Sequence, residues 1–274
     1  MEVNNIDNIE KNYLNDGFSK VTLKEFHEIT KARKELKDYL QIIKKNKNIS
    51  LENYHDYISE DEHEEIQWKL TQFFWKQNIC KRIANEQIKF FRSFVGPDLY
   101  VQEKPFLRIA RPNKETDNIG YHKDTHYGQS NFELAVHVPF CDLDKKSCLR
   151  FLPKSHLKNE KDFISAKDIT STVEKGSRKH SMGYPYAPKI PEKGIDKLKP
   201  IPIKVGEFMV FPPATMHGQS INNGSSTRFS CDFRIVNTFA PIEIKKGLES
   251  RGYVELSVSA ISEVSLLYNK ANFN

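Results

Sequence analysis

The spacing of apolar residues changes at Gly96-Pro97, and this switch limits what the chain can fold into more than any other feature. Before it, "SKVTLKEFHEITKARKELKDYLQIIKK" carries Val21, Leu23, Phe26, Ile29, Leu36, Leu40 and Ile43 at mixed spacings of three and four. That pattern marks a helix with one buried stripe. "SEDEHEEIQWKLTQFFWKQNICKRIANEQIKFFRSF" continues in the same way, with Ser59 and the acidic residues after it as a helix start and Trp68, Phe73, Phe74 and Trp75 as core. Gly96-Pro97 ends the helical part. After it come short β-forming runs, "LYVQ", "FLRIA", "FELAVHVPF", "LRFLP", "IPIKV", "EFMVFPP" and "RFSCDFRIV", separated by Pro, Gly, Asn and Asp. Helices followed by many short strands predict a mainly β sandwich or barrel with helices packed on one sheet. The chain reads as a single domain, 1–274, with a helical region at 1–95 and a β core at 96–240. A polar insertion at 157–200 carries Pro185, Pro188, Pro191 and Pro200, and a weakly helical tail covers 241–274. An insertion of that length is expected to be a lid or disordered.

Composition excludes several functions. No apolar stretch is long enough to span a bilayer. The N-terminus, "MEVNNIDNIEKNY", is too acidic and polar for a secretory signal, so the expected compartment is the cytoplasm. Cys80, Cys141, Cys148 and Cys231 form no CxxC pair and are expected to be reduced thiols. The net charge of +6 comes from scattered lysines, with a local run at Lys44, Lys45 and Lys47. This reads as a solvated surface and not as a nucleic-acid face, though a small anionic substrate is compatible with it.

The segment "GYHKDTHYG" places His122, Asp124 and His126 within five residues. If it is a strand, side chains two apart share a face, so an imidazole and a carboxylate reach one ion. A lone HxD recurs by chance, and its bland alternative is a polar strand face. The second half strengthens the metal reading. In "GEFMVFPPATMHGQSINNGSSTRFSCDFRI", an apolar strand leads to His217, and eleven residues on lies Arg228. From there Arg228, Ser230, Asp232 and Arg234 alternate with Phe229, Cys231, Phe233 and Ile235. Either this is a strand with one wet and one core face, or Arg228 and Ser230 point into a polar cavity beside His217. Two histidines and a carboxylate on one side of a metal form the facial triad of non-haem Fe(II) oxygenases. A guanidinium suits the far carboxylate of 2-oxoglutarate, because its fork matches a carboxylate and it is always charged. His126 is the rival third ligand. Three ligands along one strand would spread over about 13 Å, which favours His217 and leaves His126 to line the cavity.

These segments resemble the phytanoyl-CoA dioxygenase family of Fe(II)- and 2-oxoglutarate-dependent oxygenases. The resemblance runs from about Phe94 to Val236, through "FVGPDLYVQ", "HKDTHYG", "CLRFLPKSHL" and "GEFMVFPPATMHGQSINNGSSTRFSCDF" in that order. It implies a double-stranded β-helix, or jelly roll, with flanking helices. It also implies His122, Asp124 and His217 as iron ligands, Arg228 with Ser230 on 2-oxoglutarate, and O2 as oxidant. The implied reaction is hydroxylation of a small molecule with release of succinate and CO2. Where the family has "PGSH", this chain has Lys154 at a turn, and the resemblance does not extend to the N-terminal helices or to residues 157–200. Arg108, Arg111 and Tyr127 join His126 as candidates to line the cavity or meet the substrate. His156 is expected to fix a turn and His137 to be a satisfied barrel residue, while His27, His55, His63 and His180 read as surface residues. Two other functions fit parts of the pattern: a metal-dependent cupin-like enzyme without 2-oxoglutarate, and a non-catalytic jelly-roll binding protein.

Overall fold

The computed structural model describes residues 6–159, 163–168, 172–186, 189–191, 193–241 and 252–273. The first helix, α1 (Ile6–Asp16), stops at Gly17, whose φ of +84° an L side chain rarely adopts. The next element is a strand, β1 (Ser19–Thr22), and not the helix that the spacing predicts. Val21 is fully buried and Lys20 and Thr22 are exposed, a strand alternation. The partner that decides β1 lies almost two hundred residues away, so local periodicity could not report it. The remaining helices are α2 (His27–Lys44), α3 (Tyr54–Tyr57), α4 (Glu60–Lys76), α5 (Ile79–Glu86) and α6 (Ile88–Val95). Helix α4 begins where the sequence places it: Ser59 N–H donates to Glu62 Oε2 at 3.2 Å, and three acidic residues fill the first turn. Helix α2 buries Ile29, Ala32, Leu36 and Leu40, one stripe.

The β part comprises β2 (Leu99–Gln102), β3 (Phe106–Ala110), β4 (Tyr121–His122), β5 (Glu133–Pro139), β6 (Arg150–Phe151) and β7 (Ile164–Asp168). After a short helix, α7 (Arg178–Ser181), come β8 (Lys189–Pro191), β9 (Lys199–Pro200), β10 (Glu207–Phe211), β11 (His217–Gly218), β12 (Arg228–Asn237) and β13 (Tyr253–Ser257), then α8 (Ala260–Phe273). A seven-stranded antiparallel sheet runs β1-β10-β5-β12-β2-β13, with β3 also paired to β12. A four-stranded sheet runs β4-β11-β6-β9, and β7 pairs with β8 inside the insertion. This is a double-stranded β-helix with helices packed on its larger sheet. Strand β12 explains the layering. Phe229, Cys231, Phe233 and Ile235 join the helical core with Leu36, Leu70, Phe74 and Phe91, while the alternate side chains face the barrel interior. Its polar face is therefore buried between two sheets and not wet. A second cluster, including Phe151, Met209 and Phe211, fills the barrel.

Lys154 adopts the left-handed conformation (φ 63°) that glycine favours, and its N–H donates to Asp16 O at 2.8 Å, so the turn keeps its path without glycine. His156 ties that turn to α1 through Leu14 O (2.9 Å). Three of the histidines expected at the surface, His55, His63 and His180, are at least half-buried. His63 is buried against Tyr54 Oη (3.0 Å), and half-buried His55 meets Thr227 Oγ1 (2.9 Å). All four cysteines are unpaired thiols in buried positions. Among the described residues no helix is long and apolar enough to cross a membrane.

Candidate active site

Strands β4 and β11 pair antiparallel with His122 opposite His217, which sets the two imidazoles side by side with ring centroids 4.6 Å apart. Gly218 permits the approach: a Cβ there would lie 2.3 Å from Gly120 O. Asp124 does not share a strand face with His122, as the HxD reading supposes. Strand β4 stops at His122, and Asp124 opens a 3-10 turn, Asp124–Tyr127, that swings its carboxylate back. Asp124 Oδ1 then lies 3.5 Å from His122 Nε2 and 4.0 Å from His217 Nε2. One ligand atom from each of the three buried residues falls within 4.8 Å of the others. His217 Nδ1 donates to Thr215 O at 2.9 Å, which leaves Nε2 with its lone pair toward Asp124. Burial, then the neighbouring His122, pushes the His217 imidazole down to about 4, so it is a neutral ligand at physiological pH. Burial alone would raise the Asp124 carboxyl, but the Arg234 guanidinium, with Nη2 2.7 Å from Oδ2, and the two histidines hold it well below the usual range. Two imidazoles and one carboxylate, open on one side, are the donor set of a non-haem iron site, and the triad fits that ion.

The inward face of β12 continues from this triad. Arg228 lines the same cavity as His122, Asp124 and His217, and it is 3% exposed. Its Nε and the neighbouring Ser230 Oγ are buried with no hydrogen-bond partner among the described residues. Burial pushes the Arg228 guanidinium down to about 10. A buried cation and hydroxyl without partners fit an anion with carboxylate geometry. Asp232 is already committed, with Oδ1 2.6 Å from His137 Nδ1 and Oδ2 3.1 Å from Arg108 Nε. His137, on β5, is thus tied to Asp232 through Nδ1, while its Nε2 is buried without a hydrogen-bond partner among the described residues.

A larger cavity of about 370 Å³ adjoins the triad and includes His122, Asp124 and Arg234 in its wall. His126, Tyr127 and Arg108 line it, as the sequence anticipates for cavity residues. Arg111 does not. It is buried in a structural ion pair with Asp117 (2.8 Å) and reaches Glu60 (3.0 Å), facing a different cavity beside α4. Arg108, three residues earlier on β3, takes the inward place because residues an odd number apart fall on opposite faces of a strand.

A profile of the phytanoyl-CoA dioxygenase family matches residues 22–230. The chain belongs to the phytanoyl-CoA dioxygenase family. No curated protein matches it at a significant level. Among solved structures it is similar to the non-heme monooxygenase ThoJ, in the nickel complex (15% identity, TM-score 0.54) and in the apo form (16%, 0.55). In both cases 92% of this chain and 84% of the other is covered. It is also similar to the epimerase SnoN, solved with Fe3+, alpha ketoglutarate and nogalamycin RO, at 15% identity and TM-score 0.48, over 85% of this chain and 83% of that one.

This family member also has site residues that the sequence pattern did not assign. Arg234 shares the β12 alternation with Arg228, so its inward direction was legible, but its partner Asp124 was not. Lys123, between two of the triad residues, is fully buried and donates to Ser155 O at 3.1 Å, with Nζ 4.5 Å from the Phe163 ring centroid. Nothing in "HKD" distinguishes it from a surface lysine. His180, Tyr184 and Tyr186 of the insertion line the larger cavity, so this stretch builds one wall of the site.

Proposed function

We propose that the chain is an Fe(II)- and 2-oxoglutarate-dependent dioxygenase that hydroxylates a small molecule and releases succinate and CO2. The observation that carries this reading is one cavity holding both a three-residue metal-ligand set and a buried guanidinium without a hydrogen-bond partner among the described residues. His122, Asp124 and His217 would hold the iron, and Arg228 with Ser230 would take the distal carboxylate of 2-oxoglutarate. When bound, the metal and 2-oxoglutarate activate O2 and supply the oxidising power for attack on a substrate C–H bond.

The protein's own part is binding and orientation. Arg234 holds Asp124 by one carboxylate oxygen and leaves the other, Oδ1, facing the histidines. The Thr215 carbonyl fixes the His217 tautomer and ring angle. Arg228 offers its fork from a strand buried on both faces, so its position needs little reorganisation on binding. Apolar walls at Phe211, Leu149 and Ala135 exclude water from the same cavity.

The test needs no knowledge of the substrate. Given Fe(II), air and 2-oxoglutarate, the wild-type protein is expected to form succinate slowly, and Asp124→Ala to form none while retaining its circular dichroism spectrum. A folded, iron-loaded wild type that forms no succinate and binds no 2-oxoglutarate would move the assignment to a cupin-like enzyme.

A further inference from the structure

The cavity next to the triad has a chemistry of its own, and its two cations are already paired. Arg234 Nη2 bonds to Asp124 at 2.7 Å. Arg108 bonds through Nε to Asp232 and through Nη1 to Met182 O, each at 3.1 Å. No other arginine or lysine lines this cavity among the described residues; Lys175 lies outside the lining, 5.5 Å from the Tyr186 ring centroid. The charge of each guanidinium is thus already offset by a carboxylate, Asp124 or Asp232, so an anionic ligand would find no uncompensated cation in this wall.

Rings dominate the rest of the wall. Phe106 and Tyr127 come from the barrel, and His180, Tyr184 and Tyr186 from the insertion. The insertion segment is seated firmly on the barrel rim. Met182 O accepts from Arg108, and Gly183 (φ +88°) passes so close that a Cβ would lie 2.7 Å from Arg108 Nη1 and from Phe106 Cδ1. Arg178 and Lys179 of α7 reach Glu65 (2.6 Å) and Glu64 (3.4 Å) on α4. His180 meets Tyr186 edge-on, with centroids 5.2 Å apart. The cavity volume of about 370 Å³ equals roughly a dozen waters at liquid density, room for a molecule of a few fused or linked rings.

We infer that the substrate of the proposed oxygenase is an uncharged, ring-bearing molecule held between the insertion tyrosines and the barrel rim, and not an acyl-CoA or another anion. This inference rests on the function proposed above for the same site. Aromatic walls hold flat rings by stacking and edge contacts, and phenol, imidazole and Gln129 side chains in the wall can meet hydroxyl or carbonyl groups on such a ring.

Calorimetry on the full chain, anaerobic and loaded with Fe(II) and 2-oxoglutarate at pH 7, tests it with three probes. These are 2-naphthol, 2-naphthoate (the same ring with a carboxylate) and octanoyl-CoA. The expectation is saturable binding of 2-naphthol, binding of 2-naphthoate weaker by roughly tenfold or more, and no saturable binding of octanoyl-CoA. Tyr184→Ala and Tyr186→Ala should each weaken 2-naphthol by roughly fivefold or more while leaving 2-oxoglutarate affinity unchanged, which also shows that the variants are folded. Binding of either anion as tight as that of 2-naphthol would overturn the inference. So would absent binding of 2-naphthol, or its indifference to both substitutions. The 2-oxoglutarate titration of the Fe(II)-loaded protein separates the two claims. Absent 2-oxoglutarate binding there, with the probe order preserved, would sink the oxygenase assignment and leave the cavity assignment standing.

Discussion

Replacing Arg228 with methionine should make the ligand-free protein more stable and at the same time blind it to 2-oxoglutarate. Arg228 is 3% exposed, and its Nε has no hydrogen-bond partner among the described residues. Burial lowers its guanidinium from near 12.5 to about 10. At 1.36 kcal/mol per pH unit this amounts to roughly 3 kcal/mol against the charged form in the folded state. Methionine keeps most of the length and removes the charge, so Arg228→Met should stabilise the ligand-free protein by about 1–3 kcal/mol, a rise in Tm of roughly 2–8 °C. The wild type should recover that difference when 2-oxoglutarate binds in the presence of a divalent metal, since a ligand at a hundred times its Kd adds about 2.7 kcal/mol. The assay is a thermal melt of both proteins, with metal, with and without saturating 2-oxoglutarate. A variant that melts lower than the wild type without ligand would refute the account of Arg228 as an unpaired charge. Equal 2-oxoglutarate-induced shifts in both proteins would refute its role.

Three further outcomes are expected on the same structural grounds. His63 is held down to about 4, chiefly by burial, so the unfolded chain takes up its proton first. Stability is therefore full above pH 6.5 and falls as the pH drops toward 4, by up to about 3 kcal/mol, and urea midpoints of His63→Gln should lose less than those of the wild type over that window. Asp117→Ala leaves the buried Arg111 with Glu60 alone, and chemical denaturation should show a loss of about 3 kcal/mol with 2-oxoglutarate affinity unchanged. Gly183→Ala puts a Cβ against Arg108 and Phe106 at a left-handed φ, so limited proteolysis should cut the insertion faster, with a stability loss of about 1–2 kcal/mol.

Much of this was legible in the sequence because it depends on period and order. The 3.6-residue stripes of α2 and α4 and the alternation of β12 are local patterns; they placed the helical layer and the barrel and put Arg228 and Ser230 on one face, without fixing whether that face is wet or lines a cavity. His122, Asp124 and His217 were recognisable by residue type and sequence order, although the path that brings Asp124 back is a turn and not a pleat. What escaped was set by distant partners. Strand β1 exists because β10 offers an edge, and Arg111 and Arg108 fall on opposite faces, where the fold brings different carboxylates to them. His63 and Lys123 carry polar side chains whose burial depends on Tyr54 and Ser155, partners that no local pattern reveals. The insertion has no periodicity to read, and its tyrosines gain meaning only where Gly183 lets the backbone lie against the barrel.

The central claim is that iron and 2-oxoglutarate meet in one cavity, the metal on His122, Asp124 and His217 and the far carboxylate on Arg228. Anaerobic addition of Fe(II) and then 2-oxoglutarate, with visible absorption as the readout, tests this most directly, because the charge-transfer band of the chelate needs both at one metal. The expected result is a band in the wild type that saturates with 2-oxoglutarate, requires far more cosubstrate in Arg228→Met and is absent in Asp124→Ala. A folded, iron-loaded wild type without the band, or one whose band is unchanged in Arg228→Met, would contradict the account.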